Sequence, residues 1–125
     1  MKSNWKIPVA VVGAGNVART AHLPVWKKIP EVELVALCDT NRKNLESAAK
    51  QWRIPYTYTD FDALIEQQKE GTIIDICTPP STHKQFATRA LEAGHHVVLE
   101  KPIAMSMDEN AEIFNCYQKK RRSCS

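Results

Sequence analysis

Short apolar segments alternate with longer segments of helical periodicity along this chain. The apolar segments are rich in β-branched residues and have the length of strands. They are Ile7 to Val12, Val32 to Cys38, Tyr56 to Tyr58, Thr72 to Cys77 and His95 to Leu99. The segments with helical spacing are Asn16 to Lys28, Asn41 to Trp52, Phe61 to Gln68, Thr82 to Ala93 and Ser106 to about Lys119. Because right-handed crossovers lay each helix against parallel strands, this alternation predicts a doubly wound α/β fold with a parallel sheet.

The first predicted helix is suggested by Val17, Ala21, Val25 and Trp26, which recur at near-helical spacing. Pro24 lies among them, and proline cannot donate the backbone hydrogen bond of a helix interior. We therefore expect this helix to be bent or shortened.

The composition fits one compact domain that covers residues 1–125. Hydrophobic residues make up 43% of the chain and charged residues 25%, which is ordinary for a soluble globular protein. No apolar run approaches the roughly 20 residues that span a bilayer, and residues 1–6 lack the hydrophobic run of a signal peptide. We therefore expect a cytoplasmic protein with no membrane association.

Cysteine spacing and charge indicate neither a metal site nor nucleic-acid binding. Cys38, Cys77, Cys116 and Cys124 form no CxxC pair and have no nearby His cluster, so we expect reduced thiols. The net charge of +3 owes much to residues 119–122, a Lys-Lys-Arg-Arg run. Such a run could suggest nucleic acid, but a solvated helix end accounts for it, because cations stabilise helix C-termini.

A GxGxxA turn, Gly13 to Ala18, lies between the first predicted strand and the first helix. Gly13 permits the tight turn, Gly15 allows the backbone to approach a pyrophosphate, and Ala18 keeps the helix close to the sheet. Asn16 and Val17 lie at the helix start, where unpaired N–H groups favour a phosphate. The turn therefore predicts a dinucleotide site, although a glycine turn that only permits close packing is the alternative.

Asp39 follows the second predicted strand, about 20 residues beyond the turn, where a carboxylate can bind the adenosine ribose hydroxyls. A carboxylate there repels a 2′-phosphate, so Asp39 favours NAD over NADP. Arg42 and Lys43 lie close enough to leave NADP open. Asp39 could instead be the N-cap of the second helix, a role also open to Thr40 and Asn41.

Two further strand ends carry unusual sequences, and ligands of open α/β sheets bind outside the carboxyl ends of the strands. Thr78, Pro79 and His83 belong to a proline-stiffened loop after the fourth strand, and Glu100-Lys101-Pro102 follows the fifth. Lys101 could place an ammonium beside the nicotinamide and a substrate hydroxyl. A salt-bridged surface turn is the alternative for Glu100 and Lys101, and a helix-start role is the alternative for His83.

These segments together resemble the Gfo/Idh/MocA family, which includes glucose-fructose oxidoreductase and inositol dehydrogenase. The resemblance is carried by GAGNVA at 13–18, the Asp39 strand end, ICTPPSTH at 76–83 and GHHVVLEKPIA at 94–104. It implies an NAD(P)-binding Rossmann domain, with Gly13, Gly15 and Ala18 at the phosphates and Asp39 at the ribose. It also implies that Thr78, Pro79, His83, Glu100, Lys101 and Pro102 flank the cofactor.

The resemblance implies hydride transfer between the nicotinamide and a sugar, polyol or cyclitol carbon, with Lys101 near the reacting carbon. A second domain in the family supplies substrate contacts and commonly the acid/base residue. The family pattern calls for a strand after Lys120 that leads into that domain, whereas this sequence ends at Ser125.

We therefore expect a cofactor domain whose substrate domain is absent and which is not catalytically complete alone. The alternative is a free-standing or truncated nucleotide-binding module without activity. An apolar face or sheet edge left uncovered by a missing domain would favour a homo-oligomer.

Overall fold

The computed structural model describes residues 6–15 and 18–99, which form a parallel sheet with helices on both faces. The strands are β1 (Ile7–Val12), β2 (Val32–Cys38), β3 (Tyr56–Tyr58), β4 (Ile73–Ile76) and β5 (His96–Leu99). The α-helices are α1 (Leu23–Lys28), α2 (Arg42–Trp52), α3 (Phe61–Gln67) and α4 (His83–Glu92). The strand order is β3-β2-β1-β4-β5 and every pairing is parallel. This order confirms the doubly wound fold, while the helix predicted from Ser106 lies outside the described residues.

Most predicted elements are confirmed, with differences of one or two residues at their ends. β1, β2 and β3 have the predicted bounds, and β4 is one residue shorter at each end than the predicted segment. The second helix begins at Arg42 because Asn41 is its N-cap, with the Asn41 side-chain oxygen accepting from the Asn44 backbone N–H at 3.0 Å. Of the three candidate caps, the structure thus selects Asn41.

The first helix differs most from the prediction. Its first turn, Ala18–His22, is π-helical, and the α-helical part α1 is shortened to Leu23–Lys28 with Pro24 in its first turn. A π turn takes up an extra residue, so the 3.6-residue spacing does not continue through it. Ala21 is consequently exposed and Val25 is 56% exposed, although both belong to the apolar pattern that suggested the helix.

The core has two halves, one on each face of the sheet. Successive residues of β1 alternate between them, so Val9 and Val11 pack with α1 and α2 while Ala10 and Val12 pack with α3 and α4. All four side chains are at most 2% exposed. This double burial explains why β1 is apolar at every position from Val9 to Val12.

The described cysteines are free thiols. Cys38 and Cys77 form no disulfide, whereas Cys116 and Cys124 lie outside the described residues. Burial, and then the nearby charges of Asp39 and Asp60, raise the pKa of Cys38 to about 12, so this thiol stays protonated.

Within residues 6–15 and 18–99, no helix has the length and hydropathy that crossing a bilayer requires.

His95 is a buried imidazole at the start of β5. Its side chain lies between elements rather than in solvent, with the residue 4% exposed, and its Nε2 lies 3.2 Å from the Ile65 carbonyl oxygen. Its Nδ1 contacts no hydrogen-bond partner among the described residues. Burial is the main cause that lowers the pKa of His95 below its ordinary value of 6.5, so the fold favours the neutral ring.

This lowered pKa predicts a stability loss in mild acid. The unfolded chain binds a proton at His95 more readily than the folded chain, so the His95 contribution is complete above pH 6.5 and is lost as the pH falls from there through the lower pKa of the folded state. Urea unfolding at pH 8 and pH 5 should show a smaller pH dependence for His95→Gln, which keeps an N–H donor but does not titrate. An equal pH dependence for the wild-type protein and His95→Gln would contradict the prediction.

Candidate functional site

A crevice of about 340 Å³ opens at the carboxyl edge of the sheet. Its walls come from the last residues of β1 and β2, residues 39 and 40 after β2, residues 59–62 after β3, residues 78, 79 and 82 after β4, and Gln85 and Phe86 of α4. This edge, next to β1 and β4 where the strand order reverses, is where open α/β sheets bind their ligands. The sequence-predicted residues Asp39, Thr78 and Pro79 all line the crevice.

A larger depression of about 830 Å³ lies away from these strand ends, and Lys6, Glu33 and Thr72 are among its lining residues. None of the residues predicted from the motifs contributes to it. We therefore place the candidate site in the smaller crevice, where the predicted residues converge.

The glycine-rich turn is shaped by the strands on either side of β1. Gly13 has a φ of +102°, and a Cβ there would lie 3.1 Å from the Cys77 carbonyl carbon and 3.2 Å from the Thr78 Cγ2. Its N–H donates to the Cys38 carbonyl at 2.7 Å. Gly13 is therefore required both by its conformation and by the close approach of the chain that follows β4.

Gly15 and Ala18 have different environments. Gly15 is exposed, and a Cβ on it would meet no atom within 4 Å, so its surroundings are open to a ligand. Ala18 is 1% exposed and belongs to the core on the α1 and α2 face. These environments fit the predicted roles of a phosphate-facing glycine and a close-packed alanine, whereas Asn16 and Val17 lie outside the described residues.

Asp39 connects the end of β2 to the glycine-rich turn. Its Oδ2 accepts from the Ala14 backbone N–H at 2.6 Å and its Oδ1 accepts from the Asn41 N–H at 2.7 Å. A carboxylate has about four acceptor positions, so these two bonds leave capacity for ligand hydroxyls. Asp39 thus lines the crevice and also binds the backbone N–H of Asn41, the N-cap residue of α2.

The loop after β4 is held rigid by its own hydrogen bonds. The Thr82 hydroxyl donates to the Pro79 carbonyl at 2.7 Å and lies 2.5 Å from the Thr78 hydroxyl. His83, the first residue of α4, is 1% exposed, and its Nε2 lies 3.0 Å from the Thr78 carbonyl oxygen. Thr78 and Pro79 therefore face the crevice, while His83 supports the loop from behind.

Other predicted residues are exposed or not described. Arg42 and Lys43 are exposed in the first turn of α2 and follow Asp39 closely in sequence. Glu100, Lys101 and Pro102 lie outside the described residues, just beyond the end of β5 at Leu99.

The aromatic part of the crevice wall was not among the residues predicted from the sequence. Phe61 and Phe86 stack with ring centroids 4.1 Å apart and an interplanar angle of 16°, and both line the crevice. Phe61 begins α3 after the Asp60 N-cap, whose side chain accepts from the Ala63 N–H at 3.1 Å. The position of Phe61 just beyond the third strand was the available signal, because the carboxyl ends of parallel strands share one edge.

The sequence reading also missed a buried polar cluster. Asp75 of β4 is 0% exposed, and its Oδ2 lies 2.7 Å from both the His22 Nδ1 and the Trp26 Nε1. Together with Cys77, His22 and Asp75 could in principle hold a metal, since their ligand-type atoms lie within 4.8 Å of one another. Tetrahedral zinc with bonds of about 2.0 Å separates its ligands by about 3.3 Å, so the shorter His22–Asp75 distance is that of a hydrogen bond.

Residues 7–125 match the family model GFO_IDH_MocA, described as an oxidoreductase family with an NAD-binding Rossmann fold. The chain is 32% identical over 111 residues to D-glucoside 3-dehydrogenase of Escherichia coli, covering 89% of this chain and 31% of that protein. It is 37% identical over 101 residues to glucose-6-phosphate 3-dehydrogenase of Bacillus subtilis, covering 81% of this chain and 27% of that protein.

A solved structure has the same fold. The WlbA dehydrogenase from Chromobacterium violaceum, in complex with NADH and UDP-GlcNAcA, superposes with a TM-score of 0.88 and 26% identity. The match covers 96% of this chain and 34% of that one. The chain thus spans about a third of the length of the proteins that it resembles.

The two glycines of the turn predict opposite effects on stability. Gly13→Ala should lower the free energy of unfolding by on the order of 1–3 kcal/mol, because a side chain at positive φ is strained and its Cβ meets backbone. Gly15→Ala should change it far less, since the added Cβ meets open space. Urea denaturation of both variants tests the difference, and equal losses would contradict the distinct environments seen here.

Proposed function

Because the chain belongs to the Gfo/Idh/MocA oxidoreductase family and matches its NAD-binding Rossmann fold over residues 7–125, we propose that it supplies the cofactor site for oxidation or reduction of a sugar, polyol or cyclitol CH–OH group. The observation that carries this proposal is that Asp39 lines one crevice with the Thr78-Pro79 loop and also accepts a hydrogen bond from the Ala14 N–H of the glycine-rich turn.

The adenosine half of NAD fits the described crevice. Asp39 faces the crevice with acceptor capacity left for ribose hydroxyls, after its bonds to the Ala14 and Asn41 amides. The stacked Phe61 and Phe86 give part of the wall an apolar surface suited to an adenine ring. Asp39 thereby selects a free 2′-hydroxyl over a 2′-phosphate, which favours NAD.

The pyrophosphate fits the turn between β1 and the first helix. Gly15 leaves a space that a side chain would fill, and the Arg19 N–H donates to the Gly15 carbonyl at 3.1 Å, which connects the helical turn Ala18–His22 to the glycine-rich turn. The unpaired amides of such a helix start, together with its dipole, stabilise negative charge. Backbone N–H groups therefore bind the phosphates here, with Asn16 and Val17 proposed among them.

We propose that the nicotinamide half lies on the side of the sheet that carries the Thr78-Pro79 loop and the end of β5, which Glu100-Lys101-Pro102 follow in sequence. A bound NAD would supply the hydride acceptor for oxidation of the substrate carbon, and a protein group would have to take the hydroxyl proton as the carbonyl forms. Lys101 is the proposed electrostatic or proton-handling group at this point. Its ammonium would stabilise the negative charge that develops on the substrate oxygen.

The proposed substrate class follows the similar proteins. D-glucoside 3-dehydrogenase and glucose-6-phosphate 3-dehydrogenase are named for sugar oxidation, and the WlbA structure holds a nucleotide sugar beside NADH. Because the chain spans about a third of their length, substrate contacts and the acid/base residue are proposed to come from outside these 125 residues.

A nucleotide-binding module without catalytic activity is the second candidate, and the same partial coverage of the catalytic relatives favours it. The two functions differ in turnover. NAD reduction can be assayed with inositol, glucose and related polyols at NAD concentrations where calorimetry shows the chain to be saturated. Turnover would exclude the module, while bound NAD without turnover would support it.

Asp39→Asn should weaken NAD binding by about 10- to 100-fold, because hydrogen bonds to a charged group contribute about 1.5–3 kcal/mol. Binding of NADP should weaken less or improve, since the repulsion of its 2′-phosphate is removed. Isothermal titration calorimetry with both cofactors measures the ratio of the two affinities.

Glu46→Gln is the matched control, because it removes the same charge from the exposed face of α2. It should leave both affinities at the wild-type values. An Asp39→Asn protein that binds NAD and NADP with the wild-type ratio would refute the ribose assignment.

A further inference from the structure

The described part of the chain holds a polar cluster that the cofactor crevice does not use, formed by Asp75, His22 and Trp26. Asp75 lies in β4 between Ile74 and Ile76, which pack into the core on the opposite face of the sheet. Its carboxylate is fully buried, a placement that costs several kcal/mol for an ion unless specific partners compensate it. An apolar side chain at this position would avoid that cost. The buried Asp75 beneath the first helix is therefore energetically unfavourable unless its hydrogen bonds compensate it.

The two donors come from one face of one helix. His22 ends the π-helical turn and Trp26 lies one turn further, so both rings project towards β4 and meet the same carboxylate oxygen. Both distances are 2.7 Å. A hydrogen bond is directional where apolar packing is not, so two bonds converging on Oδ2 restrain the helix against sliding and rotation over the sheet.

The glycine-rich turn lies directly upstream of this contact. The Arg19 N–H donates to the Gly15 carbonyl at 3.1 Å, and Arg19 belongs to the same π-helical turn as His22. On its other side, the turn contacts β4's continuation, since Gly13 leaves no room for a Cβ against Cys77 and Thr78. The strand that holds Asp75 thus fixes the turn at both ends.

We propose that Asp75 is a positioning residue for the dinucleotide: through His22 and Trp26 it sets the helix start at the place where the turn can bind a pyrophosphate. The inference rests on the proposed cofactor function and extends it to residues that touch no cofactor. Such a restraint is useful here, because the π turn departs from α-helical bonding and Pro24 has no N–H to donate back to that turn.

The experiment distinguishes an effect on pyrophosphate binding from an effect on adenosine binding. Calorimetry gives the affinities of NAD, ADP-ribose and adenosine for the wild-type chain and for Asp75→Leu, Asp75→Asn and Trp26→Phe. Each protein is titrated at a temperature where circular dichroism shows it folded. We expect Asp75→Leu and Trp26→Phe to weaken NAD and ADP-ribose about tenfold, equivalent to about 1.4 kcal/mol, and adenosine less than twofold.

Asp75→Asn tests rescue, because its amide oxygen can still accept from both rings while the charge is lost. It should bind ADP-ribose more tightly than Asp75→Leu. Trp52→Phe is the matched control, since Trp52 also packs in the core on this face but its Nε1 contacts no partner among the described residues. Its affinities should equal those of the wild type.

Equal losses for adenosine and ADP-ribose, or a lower melting temperature with unchanged affinities, would show a merely structural cluster and overturn the inference. If Asp75→Leu does not fold, the milder Trp26→Phe decides by the same ratio of affinities. A wild-type chain that binds neither NAD nor ADP-ribose would overturn the proposed function itself, a result distinct from wild-type binding that the variants leave unchanged.

Discussion

The end of β1 is enclosed so tightly by its neighbours that the chain there accepts no side chain. Gly13 turns at positive φ with the backbone that follows β4 at van der Waals distance, and its N–H binds the Cys38 carbonyl of β2. The central strand therefore delivers the chain to one point above the sheet, from which the first helix has to start. The crevice, the turn and the loop after β4 all take their positions from this junction.

Two carboxylates secure the junction, and neither is free in the way that a surface carboxylate is. Asp39 binds the Ala14 amide from the β2 side, and Asp75 binds His22 and Trp26 from the β4 side. Asp39 uses both of its oxygens for backbone N–H groups, whereas both ring contacts of Asp75 converge on Oδ2 and its buried Oδ1 has no hydrogen-bond partner among the described residues. The two carboxylates thus act on the first helix and its turn through different sets of hydrogen bonds.

Much of the fold could be predicted from the sequence because its periodicities are local. Strand and helix alternation gave the order of elements, and glycine spacing gave the turn. The π turn could not be predicted, since the apolar spacing indicated a regular helix and the contact of His22 with Asp75 joins residues far apart in sequence. The burial of Asp75 depends on tertiary structure too, although a lone acid in an otherwise apolar strand of a parallel sheet was a signal of it.

The candidate site likewise contains some residues that the sequence predicts and others that only tertiary packing places there. Asp39, Thr78 and Pro79 follow strand ends, and the parallel sheet brings strand ends together whatever the details of packing. The stacked Phe61 and Phe86 come from separate helices, and no sequence pattern links them. His83 has the right position in the sequence, but its ring is buried beneath the Thr78 carbonyl, which only packing could decide.

Each ionisable group that lines the described crevice makes a hydrogen bond or an ion pair within the protein, or has a raised pKa. Asp39 accepts two amides, Asp60 caps α3, Asp62 pairs with Arg89 at 2.9 Å, and the raised pKa of Cys38 keeps its thiol neutral. A general base needs a pKa near the working pH, which the Cys38 thiol does not have, and Asp39 is proposed to use its remaining acceptor positions on the ribose hydroxyls. This part of the chain is accordingly suited to binding and orienting a dinucleotide. The proposed reaction also needs a proton-transfer group, for which Lys101 or residues of a substrate domain are the proposal made above.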